Sequence, residues 1–133
     1  MKYMLMMHTP RAGWKDAGIG TWPPDDIKAH IGFMHRFNQE LTDAGEFVDA
    51  QGLALPEEAR VVRAKKGGGP EVTDGPFPEA KEFLAGFWII DCESTERAYE
   101  IAARASAAPG KGGVPMNMPI EVRQVMGGPP EDL

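Results

Sequence analysis

The run Asp74-Gly75-Pro76-Phe77-Pro78-Glu79-Ala80-Lys81-Glu82, followed at once by Phe83-Leu84-Ala85-Gly86-Phe87-Trp88-Ile89-Ile90, decides how this sequence is read. Asp-Gly-Pro is poor material for helix or strand, because Gly75 admits backbone angles that other residues avoid while Pro76 fixes its own and has no amide donor. A loop of definite shape is expected there. The apolar stretch behind it is short, continuous and bounded by turn residues, which reads as a strand buried on both faces. Glu79, Lys81 and Glu82 then lie at the rim of a core, where binding sites are commonly built.

Working outward, residues 2–8 form a strand with Met4, Met6 and His8 on one face and Tyr3, Leu5 and Met7 on the other, so both faces need cover. A loop over residues 9–22, rich in glycine, carries Trp14 and Trp22 and is expected to fold over something and help line a pocket. Pro23 and Pro24 with Asp25 and Asp26 suit a helix start, and Ile27, Ile31, Met34, Phe37 and Leu41 recur at helical spacing until Gly45 supplies the stop. Residues 47–53 and 60–64 read as strands, the second closed by the turn Lys65-Lys66-Gly67-Gly68-Gly69-Pro70 that leads into 71–73. The lysines precede the glycines and a strand follows, so this is a hairpin and not a phosphate cradle. Ser94 caps a second helix with small apolar positions Ala98, Ile101, Ala102 and Ala105, residues 109–119 form a long Pro/Gly-rich loop, and residues 120–125 make the last strand.

With its flanks Val72-Thr73 and Phe83 through Trp88, the central loop closely resembles the signature of DGPF-domain proteins, a branch of the YCII-related family. Phe37-Asn38-Gln39-Glu40-Leu41 with Ala44-Gly45, then Gln51-Gly52-Leu53, then Ile120-Glu121-Val122-Arg123-Gln124-Val125, resemble the family's text in the family's order over most of the chain. The resemblance implies a ferredoxin-like α+β fold that dimerises through its sheet, the dimeric α+β barrel arrangement. It also implies a His and Asp pair near a pocket, for which the first helix offers His30 or His35. Because DGPF-domain proteins are often encoded near alternative sigma factors, it makes such a factor a candidate partner.

The order of elements agrees with an α+β, ferredoxin-like sandwich carrying an inserted hairpin. Residues 1–126 are expected to be one domain and 127–133 a tail. Two helices cover only one face of the sheet, and the other would expose a larger apolar patch than soluble monomers tolerate, so a homodimer is expected. The 133 residues carry a formal net charge of −6, which argues against nucleic acid as a partner. One cysteine, Cys92, excludes an internal disulfide and, with no signal-like start or long apolar run, points to a reducing cytoplasmic setting and no membrane. Cys92 is expected to fill space near a strand end.

The chemistry must come from the few polar groups aimed at buried space. His8 ends the first strand, and as a general base it would need a carboxylate to fix its tautomer; Asp74 is a candidate for that partner. Asp74 is equally suited to shaping the turn it precedes. His30 sits on the apolar face of the first helix, where a satisfied core histidine and a catalytic one are both open, and His35 falls on the flank. Glu121 and Arg123 project from the same side of the last strand, either as an internal pair or dimer contact or as the grip on a small anionic ligand. Lys81 could reach into the cleft, and Trp14 could line it. Three His and one Cys without short ligand spacing suggest no metal, and no cofactor is expected.

Three readings follow. One is a small-molecule-binding dimer with acid-base activity, in which Asp74 and His8 or His30 move a proton while Arg123, Lys81, Glu121 and Trp14 hold the ligand. Another is a non-catalytic regulatory or interaction module linked to a sigma factor, and the third is a dimeric scaffold with no site.

Overall fold

The computed structural model describes residues 1–12 and 18–130. Its elements run β1 (Lys2–Pro10), α1 (Pro24–Asp43), β2 (Phe47–Gly52), β3 (Arg60–Ala64), β4 (Pro70–Asp74), β5 (Glu82–Asp91), α2 (Thr95–Ser106) and β6 (Ile120–Gln124). Four strands form an antiparallel sheet in the order β2-β5-β1-β6, while β3 and β4 pair only with each other. Without that hairpin the path is β-α-β-β-α-β with the first and third strands central, the ferredoxin-like arrangement expected from the element order. The sheet is open and not a closed barrel.

Local chemistry sets the helix ends. Pro24 opens α1 with Asp25 and Asp26 in its first turn, and the helix stops at Gly45, whose φ of 74° suits a residue without Cβ. The amide of Gly45 donates to the Thr42 carbonyl and that of Glu46 to the Leu41 carbonyl, which satisfies two of the last helical acceptors. The Ser94 side chain caps α2 by accepting from the Arg97 amide at 3.1 Å.

Both helices lie on one face. Tyr3 and Leu5 of β1 and Trp88 and Ile90 of β5 are packed with Phe37 and Leu41 of α1 and with Ala98, Ile101, Ala102 and Ala105 of α2. The small side chains of α2 let its axis approach the sheet, as their spacing predicts. Phe33 stacks on Phe37 at 5.8 Å, and the Trp88 ring meets Phe37 edge-on at 5.6 Å. The buried indole is satisfied because Trp88 Nε1–H donates to Asn38 Oδ1 at 2.8 Å. Helical spacing put Ile31 and Met34 on the core face; Ile31 is 46% exposed, while Met34 packs against the core as expected and Phe33 joins it.

By alternation the opposite face carries Met4 and Met6 of β1, Phe87 and Ile89 of β5, and Glu121 and Arg123 of β6. Neither helix packs on it. These apolar side chains are half-buried even so, apart from the more buried Met6, because neighbouring strands shelter one another.

The central loop is held by backbone contacts. Gly75 donates its amide to the Ala59 carbonyl at 2.9 Å, and a Cβ there would lie 3.0 Å from the Ala59 backbone, so a larger residue would force that backbone to give way. Arg11 reaches over from the end of β1, donating through Nε to the Ala80 carbonyl and through Nη2 to the Phe77 carbonyl, with its guanidinium 4.8 Å above the Phe83 ring. Among the described residues no helix is long and apolar enough to cross a membrane.

Candidate functional site

The pairing of β1 with β5 slips by one residue between Met7 and His8, so Met7 faces Gly86 while His8 faces Leu84. Such an irregularity re-aims the side chain beside it. Gly86 is needed here, since a Cβ would stand 2.9 Å from the Gln51 carbonyl oxygen of β2. Past the slip, His8 turns its ring to β6, and its Nε2 lies 3.0 Å from Glu121 Oε1. The His8 side chain is 25% exposed and Glu121 53%, so the histidine is sheltered while the acid stays hydrated. A carboxylate only accepts, so Nε2 carries a proton, and in the neutral ring the lone pair stands on Nδ1, which can then receive a proton.

A recess of about 270 Å³ opens beside His8, lined among others by Met7, Trp22, His30, Met116 and Met118. Its parts come from five places in the chain. His30 projects from α1, and its Nδ1 donates to the Pro109 carbonyl at 2.9 Å, an acceptor-only partner that leaves the lone pair of the neutral ring on Nε2. The Trp22 ring meets the His30 ring edge-on at 5.5 Å. Met116 and Met118 arrive on the loop after α2, which is ordered by its own backbone. Met116 donates its amide to the Ala108 carbonyl at 2.9 Å, Ser106 Oγ donates to the Met118 carbonyl at 2.6 Å, and the Gly112 amide donates to Asp26 of α1. A Cβ at Gly110 would stand 2.8 Å from Met116 Cγ, so this glycine makes room for the methionine. A second, wider recess of about 680 Å³ shares His8 and is lined by Glu82, Glu121 and the same loop. His8 therefore stands where an apolar hollow meets an acidic one.

The residues singled out in the sequence do not all converge there. His8, His30 and Glu121 do. Asp74 does not partner His8: it closes β4 opposite Arg60, with a 3.6 Å ion pair to that residue and a side chain 96% exposed, and Glu121 takes the role expected of it. The hairpin pairs only with itself, and there Asp74 stands opposite Arg60. Lys81 is exposed, and its carbonyl accepts from the Arg11 amide. Arg123 pairs with Met4, four residues back along β1 from His8, or about 13 Å at strand spacing. His35 is exposed on α1, as its flank position predicts. Trp14 lies outside the described residues. Sequence reasoning missed the His8–Glu121 pair, the two loop methionines and the grip of Arg11. A signal for the first existed: β1 and β6 flank each other in a ferredoxin-like sheet, so an acid near the start of β6 falls beside the end of β1.

Three ionisable groups outside the recess are perturbed. Bidentate hydrogen bonding from Arg97 holds the Glu46 carboxyl below its ordinary value, and the Arg97 guanidinium is raised in turn. Burial pushes the Cys92 thiol up. Among the described residues no group of three or more His, Cys, Asp or Glu is placed to hold a metal ion.

Residues 1–120 match the family described as the YCII-related domain. An uncharacterized protein of Rhizobium meliloti (strain 1021) is 30% identical over 87 residues, which cover 65% of this chain and 69% of that protein.

Proposed function

The chain belongs to the YCII-related family, and we propose that within it this protein is a small-molecule-binding homodimer that performs acid-base chemistry at His8. The observation that carries this is the 3.0 Å contact between His8 Nε2 and Glu121 Oε1 at the mouth of a recess. A histidine that lines a hollow and has one nitrogen held by a carboxylate is suited to taking and returning a proton. His30, with its tautomer fixed by the Pro109 carbonyl, is a second acceptor across the recess. Asp74 shapes the hairpin end through Arg60 in this scheme. The second copy covers the helix-free face that bears Met4, Met6, Phe87 and Ile89, bringing the acid and guanidinium of β6 to the subunit boundary.

The test has two steps. A thermal-shift screen of small cyclic metabolites should yield a compound that raises the melting temperature. Solvent deuterium uptake into that compound, followed by NMR, should then fall about 100-fold in His8→Asn and about tenfold in Glu121→Gln. Uptake unchanged in both variants would refute the acid-base role.

A regulatory alternative draws support from Met126, which is 84% exposed just beyond β6. Capture of an alternative sigma factor that is lost on deleting residues 127–133, with no ligand found by the screen, would favour it.

A further inference from the structure

We infer that the recess beside His8 takes an uncharged, ring-sized ligand that donates a hydrogen bond, and that it discriminates against carboxylates. This deepens the proposal above and rests on the same recess. Its hydrophobic surface comes from Met7, Ile19, Trp22, Met116 and Met118. Thioether chains mould themselves to a ring, and an indole offers it an edge or a face. In their neutral forms the two imidazoles that line the recess each keep one acceptor: the Glu121 carboxylate and the Pro109 carbonyl each occupy one N–H, which leaves lone pairs on His8 Nδ1 and His30 Nε2. A hydroxyl on the ligand meets either. An acceptor-only ligand meets neither.

Charge points the same way. Among the described residues no lysine or arginine lines this recess. Arg11 is engaged with the Ala80 and Phe77 carbonyls, and Arg123 lies on the helix-free face beside Met4. Glu82 and Glu121 line the adjoining hollow, so the field at His8 is negative. Among the described residues, with both imidazoles neutral, an anion entering would give up water without meeting a countercharge, which is strongly unfavourable. An ammonium would find the carboxylates only in the neighbouring hollow and would itself be desolvated among methionines. The anion grip foreseen at Arg123 and Lys81 therefore does not describe this recess.

The experiment uses the full chain with 13C-methyl methionine, the Met7, Met116 and Met118 signals being assigned by single Met→Leu variants. Benzyl alcohol, benzoate, toluene and benzylammonium are titrated to the same millimolar ceiling. Benzyl alcohol should move these three methyl signals and bind about tenfold more tightly than each of the others, the range one well-placed hydrogen bond supplies. His30→Phe should reduce that advantage over toluene by severalfold without weakening toluene. Benzoate or benzylammonium binding as tightly as the alcohol, an alcohol no tighter than toluene, or methyl signals that move with none of the four would each overturn the inference. Deuterium uptake that depends on His8 in the presence of a screened compound, with this selectivity absent, would leave the acid-base proposal standing and remove only the ligand class.

Discussion

Replacing Arg97 with methionine removes a guanidinium that donates to both oxygens of Glu46, at 2.8 and 2.9 Å, while leaving a chain of similar length to cover the core. Glu46 is 12% exposed and Arg97 28%, so the pair sits between a surface ion pair, worth 0–1 kcal/mol, and a fully buried one, whose disruption costs 3–5 kcal/mol. Allowing for solvent at the rim, a loss of about 1.5 kcal/mol at pH 7 is expected, which is about 6 °C for a chain of this size. The sign with pH is fixed by the depressed Glu46 carboxyl. Its folded value lies below the ordinary 4.5, so its contribution is complete above the unfolded value and disappears as pH falls through the folded one. Calorimetry of wild type and Arg97→Met at pH 7 and pH 3 should show the gap narrowing at the acid end. A gap equal at both pH values, or absent at pH 7, would refute the assignment. The consequence reaches the recess, because Arg97 fixes the start of α2 and α2 delivers the Pro109 carbonyl to His30.

Three further outcomes are expected. Gly110→Ala should push Met116 aside, costing about 1–3 kcal/mol in melting experiments and shifting the Met116 methyl signal while those of β1 stay in place. Cys92 should resist iodoacetamide at pH 7 until the protein is unfolded, since its thiol is buried, donates to the Ser94 carbonyl and is pushed up by burial; alkylation at the rate of a free thiol would contradict its placement. Met6→Glu should convert a dimer to a monomer in light scattering, with the circular dichroism of the fold retained, if the helix-free face is the joint; an unchanged mass would remove that face from the interface.

Much of the architecture was legible because it is local. Helix starts and stops depend on residues in contact through the backbone: Pro24 with Asp25 and Asp26, Gly45, and Ser94 all act within one turn of where they stand. The apolar run of β5 announced a strand whose two faces both need cover, and in the sheet it lies between β2 and β1. The Asp-Gly-Pro loop was readable as a turn, yet the need for glycine at position 75 comes from Ala59, sixteen residues away, which no local rule contains.

The sequence by itself determined which segments become strand or helix, the α+β order, the caps and the kinds of side chain available for proton transfer. It did so because propensity, periodicity and turn chemistry operate over a few residues. Only the tertiary structure decided that His8 meets Glu121 and not Asp74, and that His30, Trp22 and two loop methionines close one recess. Those contacts join residues 79 and 113 positions apart, and they depend on a one-residue slip in strand register and on where a self-paired hairpin is carried.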